Sequence, residues 1–522
     1  MKKLKKEKQN LKIIEIVIYL IFTILLLATH YIYIRFDNIS FEQFLYNIIN
    51  TEGANYSVVL EGIKFVLLYL ILILLILFLI YKFYKSLKIK IYFNLGFKNK
   101  IKKIEVFKKR KITSILYLIV FIIISIYNSM LLLNIDEYII NQNSSSKLFE
   151  NYYVDARDVK LKFPKKKRNL IYIYAESIES TNLSSDNGGL MEESYIPKLE
   201  QLALENINFS NTDKLGGAYT ARNTSWTIAA LVAQTSGIPL KLSIDSNTYK
   251  GYSNYLPGVY NLGDILEDNG YNNYFMIGSK ANFGARDIYF ENHGNYRIYD
   301  YNYAIEKGYI DKDYYVWWGY EDKKLFKYAK EKILKAASKE EPFNFTILTV
   351  DTHFTDGYMD SSCEEVFDNK YANSLYCSDS KIYSFVKWIQ QQDFYDDTTI
   401  IITGDHLTMQ NNFYDIKDGY IRTVYNTFIN SPITPIKEKE RLFTTLDMFP
   451  TTLAALDVDI EGNRLGLGVN LFSDEVTLLE EMGLKKLNAE IAKKSFYYDN
   501  KLLGDIYYEI EEDLKENKEQ ID

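Results

Sequence analysis

Two cysteines and four histidines in 522 residues rule out several common chemistries before any motif is read. Cys363 and Cys377 have no further cysteine near them, which argues against a cysteine-rich structural zinc site. Positive charge is scarce in most of the chain. Residues 1–135 take 20 of the 61 Lys/Arg and only 7 of the 68 Asp/Glu, leaving the other 387 residues with 41 basic and 61 acidic side chains. A net −20 there supplies no basic face for a phosphate backbone, which argues against a nucleic-acid binder. No internal repeat is visible. Proline is rare, at 8 residues, beside 46 tyrosines, and neither count carries a functional reading.

What is present is first of all apolar. Three runs, "IIEIVIYLIFTILLLATHYIYI" (13–34), "FVLLYLILILLILFLIY" (65–81, extended to 62 with Lys64 snorkelling) and "ITSILYLIVFIIISIYNSMLLL" (112–133), approach or reach the ~20 residues a membrane-spanning helix needs. No small-residue cleavage site follows the first, which argues against a removed signal peptide. The N-terminus is lysine-rich, and segment 82–111 holds 12 Lys/Arg against one Glu, whereas 35–61 has one Arg and several acids. The positive-inside rule puts the first two segments in the cytoplasm. Three crossings then place everything after about residue 135 outside it. The expected organisation is a membrane part over 1–135, a linker over 136–164, an extracytoplasmic domain over 165–475 and a C-terminal extension over 476–522. In an oxidising compartment Cys363 and Cys377 are expected to form a disulfide worth roughly 3 kcal/mol, with two free thiols as the alternative.

The outer part alternates buried-type strands with helices. Residues 169–174, 272–278, 343–350, 398–403 and 423–430 read as strands. Residues 196–206, 226–236, 259–270, 324–338 and 380–392 read as helices. This predicts an α/β sandwich around a mostly parallel sheet, with ligands beyond the carboxyl ends of the strands. Three such ends carry candidate groups: Glu176, the run Asp351 to His353, and Asp405 with His406. A lone acid after a strand is usually a turn or cap residue. Several on one sheet edge offer hard oxygens and an imidazole, which suits Mn²⁺, Zn²⁺ or Mg²⁺.

Residues 221–231, "ARNTSWTIAAL", raise a second question. A helix is expected to begin near Ser225 or Trp226, with Thr224 at or near its N-cap. Capping alone explains that hydroxyl. The same helix N-terminus is also a phosphate site, where a hydroxyl with a metal beside it can attack phosphorus. Thr227, further in, is the fallback.

The ordered segments "NLIYIYAESIEST", "NTSWTIAALVAQTSGIPL", "TVDTHFTDGY", "GDHLTM", "TTLDMFPTTLAAL" and "GNRLGLGVNLF" resemble the alkaline phosphatase superfamily over roughly residues 165–475. Within it the chain is most similar to the membrane-bound phosphoglycerol transferases, including the lipoteichoic acid synthases and the branch that decorates periplasmic glucans. The resemblance implies a sulfatase-like fold and one divalent cation, Mn²⁺ first, with Zn²⁺ or Mg²⁺ as alternatives. It implies Glu176, Thr224, Asp405 and His406 as metal ligands and Thr224 as nucleophile. His353 matches a substrate-phosphate contact, and Arg286, in "KANFGARDIYF", falls on an arginine for the glycerophosphate head group. The synthase's Trp and upstream His fall on Gly284 and Ile277, which puts polymerase activity in doubt. The implied reaction moves phosphoglycerol from phosphatidylglycerol to a periplasmic glucan or other surface glycan through a phosphoglyceryl-threonine, releasing diacylglycerol, in a multi-pass inner-membrane protein facing the periplasm.

A formylglycine sulfatase is disfavoured, because neither cysteine stands in a C/S-x-P-x-R motif. A phosphoethanolamine transferase acting on lipid A or a surface glycan stays open, since the head group is poorly read from sequence. A non-catalytic glycan-binding anchor predicts loss of a ligand or nucleophile position, and none is lost.

Overall fold

The computed structural model describes residues 2–36, 40–49, 56–87, 92–97, 100–105, 111–241, 255–410, 413–416 and 419–503. It divides into two compact units, Met1–Phe41 with Asn55–Tyr138, and Glu42–Ala54 with Ile139–Asp522. Of the expected C-terminal extension, residues 504–522 lie outside the described residues.

The first unit is built on three long helices, α1 (Lys2–Phe36), α3 (Tyr56–Leu87) and α4 (Lys111–Leu132). α2 (Phe41–Ile49) lies between the first two in the chain and belongs to the second unit from Glu42 onward. Within the long helices, Lys12–Phe36, Val59–Ile80 and Ile115–Leu132 are long and apolar enough to cross a membrane. Their apolar side chains point outward, as lipid-facing residues do. α1 and α4 meet through small polar groups, with Thr29 Oγ1 3.3 Å from Ser129 Oγ. The basic segment read as a plain loop contains an antiparallel hairpin, Tyr92–Phe97 against Lys100–Glu105.

The second unit is organised on a seven-stranded sheet. Its strands are β1 (Asn169–Ala175), β2 (Gly217–Ala218), β3 (Asn272–Ile277), β4 (Arg297–Tyr299), β5 (Phe343–Leu348), β6 (Thr398–Gly404) and β7 (Val424–Ile429). They lie in the order β2-β7-β6-β1-β5-β3-β4. The five strands from β6 to β4 are parallel; β7 runs antiparallel to β6, and the short β2 pairs antiparallel with β7 at the edge. β1 is central and buried on both faces, which is why its sequence is a continuous apolar and aromatic run rather than an alternating one. Leu170, Tyr172 and Tyr174 enter one core, whereas Ile171, Ile173 and Ala175 enter the other. The first core is closed by α6 (Thr227–Ser236) among others. The second is closed by α5 (Pro197–Glu205), α8 (Asp322–Ala337) and α9 (Lys370–Ile389), with α7 (Arg286–Asn292) on the first side.

Two helix boundaries differ from expectation. α9 starts ten residues before position 380, because Asn369 caps it by accepting from Tyr371 N and Ala372 N. Cys377 therefore sits on a helix, bonded to Cys363. α6 starts at Thr227 with Trp226 as N-cap, so Thr224 is outside the helix and does not cap it. Its hydroxyl instead donates back to the Ala221 carbonyl at 2.8 Å.

Candidate functional site

Strand register brings the candidate residues together. Ala175 pairs with Gly404 across β1 and β6, and Tyr174 pairs with Leu348 across β1 and β5. The next residues along, Glu176 and Asp405, therefore emerge side by side at the carboxyl edge, as the strand-end rule requires. Gly404 has to be glycine, since a Cβ there would lie 1.9 Å from the Ile178 carbonyl oxygen.

Glu176, Asp405 and His406 are all buried and offer ligand atoms within 4.8 Å of one another. Asp405 Oδ1 accepts from the Ser177 and His406 backbone N–H groups, both at 2.8 Å. Its Oδ2 is buried without a hydrogen-bond partner among the described residues. His406 Nδ1 lies 2.8 Å from the Leu407 carbonyl, so it carries the proton that this bond needs. Nε2 is left facing Asp405 Oδ2 at 3.3 Å and Glu176 Oε1 at 3.6 Å. A lone pair turned toward two carboxylates is stable only with a proton or a cation between them. The donor set therefore fits a divalent ion with hard-oxygen and imidazole ligands.

The titration behaviour has the same origin. Burial pushes Asp405 up to about 7, and the Glu176 charge adds to this. Burial alone lowers His406, but Asp405 and Glu176 outweigh it and raise the imidazole above its ordinary value. Below pH 7 the metal-free site thus holds protons that a cation must displace. Mn²⁺ affinity is expected to fall by about tenfold or more per pH unit as pH drops from 7 to 5.5, with protons released on binding. Calorimetry in buffers of different ionisation enthalpy measures both; a flat profile contradicts this set of ligands.

Thr224 and Thr227 stand on opposite sides of the α6 N-cap. Thr224 is fully buried, and Asn223 before it has left-handed φ (61°) and a buried amide with neither polar atom partnered. Thr227 Oγ1 lies 3.4 Å from His406 Nε2. No side chain caps α6, so its first-turn N–H groups remain available to an anion.

Arg286 and His353 complete the set. Arg286 is buried, donates from Nη2 to the Lys280 carbonyl at 3.0 Å, and has an unpartnered Nε. Burial lowers it to about 10, opposed first by Glu176, so it stays charged at neutral pH. His353 Nδ1 lies 2.7 Å from the Phe354 carbonyl, and burial lowers the imidazole to about 4. It is therefore neutral at pH 7, with the Nε2 lone pair available. Its turn is buckled from below: Asp322, at the start of α8, accepts from Val350 N and Asp351 N, and Lys381 binds Asp351 at 2.7 Å.

Three contributors escaped the sequence reading. Glu179 is fully buried and takes Arg422 on both oxygens at 2.6 and 2.7 Å. The same pair binds Thr408 N and O, fixing the loop after His406. The Trp318 ring stands 4.5 Å from His353, and its buried indole N–H is unpartnered. Glu179 was visible inside "AESIES", but nothing local pointed to Arg422 or Trp318.

The sulfatase family model matches residues 168–458. Phosphoglycerol transferase I of Shigella flexneri is 31% identical over 333 residues, covering 63% of this chain and 41% of that relative. The chain thus spans less than half of the length of this curated relative. A lipoteichoic acid synthase of Listeria monocytogenes overlays with a TM-score of 0.46 at 17% identity, covering 62% of this chain and 81% of that one. A lipooligosaccharide phosphoethanolamine transferase of Neisseria meningitidis, an integral membrane protein, overlays with 0.48 at 14% identity, covering 92% and 87%.

Proposed function

The chain belongs to the sulfatase family, and from that premise we propose that it is a membrane-anchored phosphotransferase that moves phosphoglycerol from phosphatidylglycerol to a periplasmic glucan or another surface glycan. The observation that carries this reading is the buried Glu176, Asp405 and His406 cluster with its orphaned Asp405 oxygen, in a chain 31% identical to a protein named phosphoglycerol transferase I.

Glu176, Asp405 and His406 would hold the divalent ion, with Thr224 as a fourth ligand and Mn²⁺ as the first choice. Such an ion supplies positive charge that lowers a hydroxyl's pKa and offsets charge developing on phosphoryl oxygens. The Thr224 oxygen attacks phosphorus, the bond to the diacylglycerol oxygen breaks, and the phosphoglyceryl group rests on threonine. An acceptor hydroxyl then attacks the same phosphorus and frees Thr224. Arg286 binds phosphate oxygens, and its charge survives burial. Neutral His353 takes the proton of the attacking hydroxyl on Nε2, that of Thr224 in the first step and of the acceptor in the second, and returns it to the leaving oxygen, that of diacylglycerol and then that of Thr224. The α6 N-terminus adds N–H groups and the positive end of its dipole. The anchor sets the lysine-rich segments in the cytoplasm and the domain in the periplasm, where anchoring raises the effective concentration of a lipid donor.

The test incubates the purified full chain with Mn²⁺, a periplasmic glucan acceptor and head-group-labelled phosphatidylglycerol or phosphatidylethanolamine. Label is expected on the glucan from phosphatidylglycerol alone. Transfer from phosphatidylethanolamine alone overturns the donor, and label released only as free glycerol phosphate overturns the transfer.

A further inference from the structure

The helix between the first two membrane spans touches three segments of the site, the Arg286 corner, the start of α6 and the loop after His406. Tyr46 of α2 is 1% exposed, and its hydroxyl donates to the Gly284 carbonyl at 2.6 Å. Its ring lies 6.2 Å from that of Trp226, the α6 N-cap. Glu42, also buried, stands 3.7 Å from the Arg222 guanidinium, two residues before Thr224. Gln43 Nε2 reaches Met409 Sδ at 3.8 Å, three residues after His406.

The Gly284 contact has the clearest consequence. Gly284 (φ 69°) and Ala285 (φ 55°) are consecutive left-handed residues, and Arg286 follows them at the start of α7. An alanine is not at ease in that region, so the turn depends on the bonds around it, among them Ala285 N to the Asn282 carbonyl and Asp287 N to the Ala281 carbonyl, both at 3.1 Å. The Gly284 carbonyl takes the bond that comes from another part of the chain, accepting from the Tyr46 hydroxyl. A Cβ on Gly284 would also come within 3.9 Å of the Tyr46 ring. Burial pushes the Tyr46 phenol far up, so it stays a neutral donor at any working pH.

We propose that Tyr46 is a positioning residue for the phosphate arginine: through the Gly284 carbonyl it fixes the corner that aims Arg286, making a segment from between two membrane spans part of the substrate site. This rests on the reading of Arg286 as a phosphate ligand. A mere packing role predicts loss of stability. A positioning role predicts a loss that disappears when the arginine is altered.

The test is a double-mutant cycle on the full, Mn²⁺-loaded chain in detergent, with glycerol phosphate as the titrant. Tyr46→Phe is expected to weaken glycerol phosphate binding about tenfold, the usual effect of losing one such bond to a buried group. In an Arg286→Lys background it is expected to cost less than twofold more. Gly284→Ala leaves the carbonyl in place but strains its left-handed φ, disturbing the same corner from within, and is expected to behave alike, which keeps the test valid should Tyr46→Phe unfold. Ile48→Ala, exposed on the same helix, is expected to change nothing. Equal losses in both backgrounds, or no loss from either variant, overturn the proposal. A parent chain that binds glycerol phosphate but transfers no phosphoglycerol sinks the donor reading alone. A parent that transfers normally while Tyr46→Phe binds unchanged sinks the positioning role alone.

Discussion

Thr224→Ala is expected to lower phosphoglycerol transfer by about 10³-fold or more and to abolish label on the protein, as removal of a nucleophile does elsewhere. The fold is expected to survive. Thr224 gives one hydroxyl bond, to the Ala221 carbonyl, and such a bond is worth about 1 kcal/mol net against a domain stability of roughly 5–15 kcal/mol. A large loss of rate with an unchanged melting temperature is therefore chemical. Thr227→Ala is the needed counterpart, because its hydroxyl is the one at 3.4 Å from His406 Nε2. With Thr224 as nucleophile, Thr227→Ala costs about tenfold or less and keeps the labelled intermediate, the loss fitting a weakened hydrogen bond. The reverse pattern moves the nucleophile to Thr227. Mass spectrometry of the trapped, labelled peptide separates the two, since Ser225 and Trp226 alone lie between them.

Asp405→Asn is expected to be as damaging to activity, again about 10³-fold or more, and to act oppositely on the metal-free and metal-loaded chains. The substitution keeps an oxygen for the Ser177 and His406 N–H groups and puts an amide where the unpartnered Oδ2 lies. That amide can donate to the His406 Nε2 lone pair. Asp405 is raised to about 7, so the native carboxyl binds its proton more tightly than the unfolded one, whose value is ordinary. Its effect on the metal-free chain is thus a loss of stability as pH rises from about 4 to about 7. Without metal at pH 8 the asparagine variant is expected to melt no lower than the parent. With Mn²⁺ at 100 times its dissociation constant the parent gains about 2.7 kcal/mol, and the variant gains almost nothing. Thermal unfolding with and without Mn²⁺ measures both. A variant destabilised equally in both conditions refutes the metal role of Asp405.

The parts of this protein legible in the sequence are those written locally. A strand buried on both faces has to be a continuous apolar run, so β1, β5 and β6 could be read, and their ends delivered Glu176, Asp405 and His406. The start of α6 misled because Thr and Ser before an apolar run are the ordinary cap signal. Here Trp226 takes the cap position with its backbone alone, and Thr224 turns its hydroxyl backward. The start of α9 was signalled by Asn369 but hidden within a stretch read as the loop between two cysteines. Glu179 and Arg422 are 243 residues apart, and Tyr46 and Gly284 are 238 apart. No local pattern encodes such pairs; only the tertiary fold does.

The placement of the two functional clusters has a consequence for how the molecule breathes. Glu176 and Asp405 follow strands that are paired residue by residue at the centre of the sheet, where opening requires near-global unfolding. Arg286 instead follows a short left-handed corner outside the sheet, held by the Tyr46 hydroxyl on the Gly284 carbonyl and by bonds within the turn. Amide exchange at the proposed cation ligands is thus expected to follow the stability of the whole unit, and exchange at Arg286 that of its own corner. With Arg286 on the phosphate as proposed, warming or mild denaturant is expected to loosen the grip on the substrate before it reaches the ion.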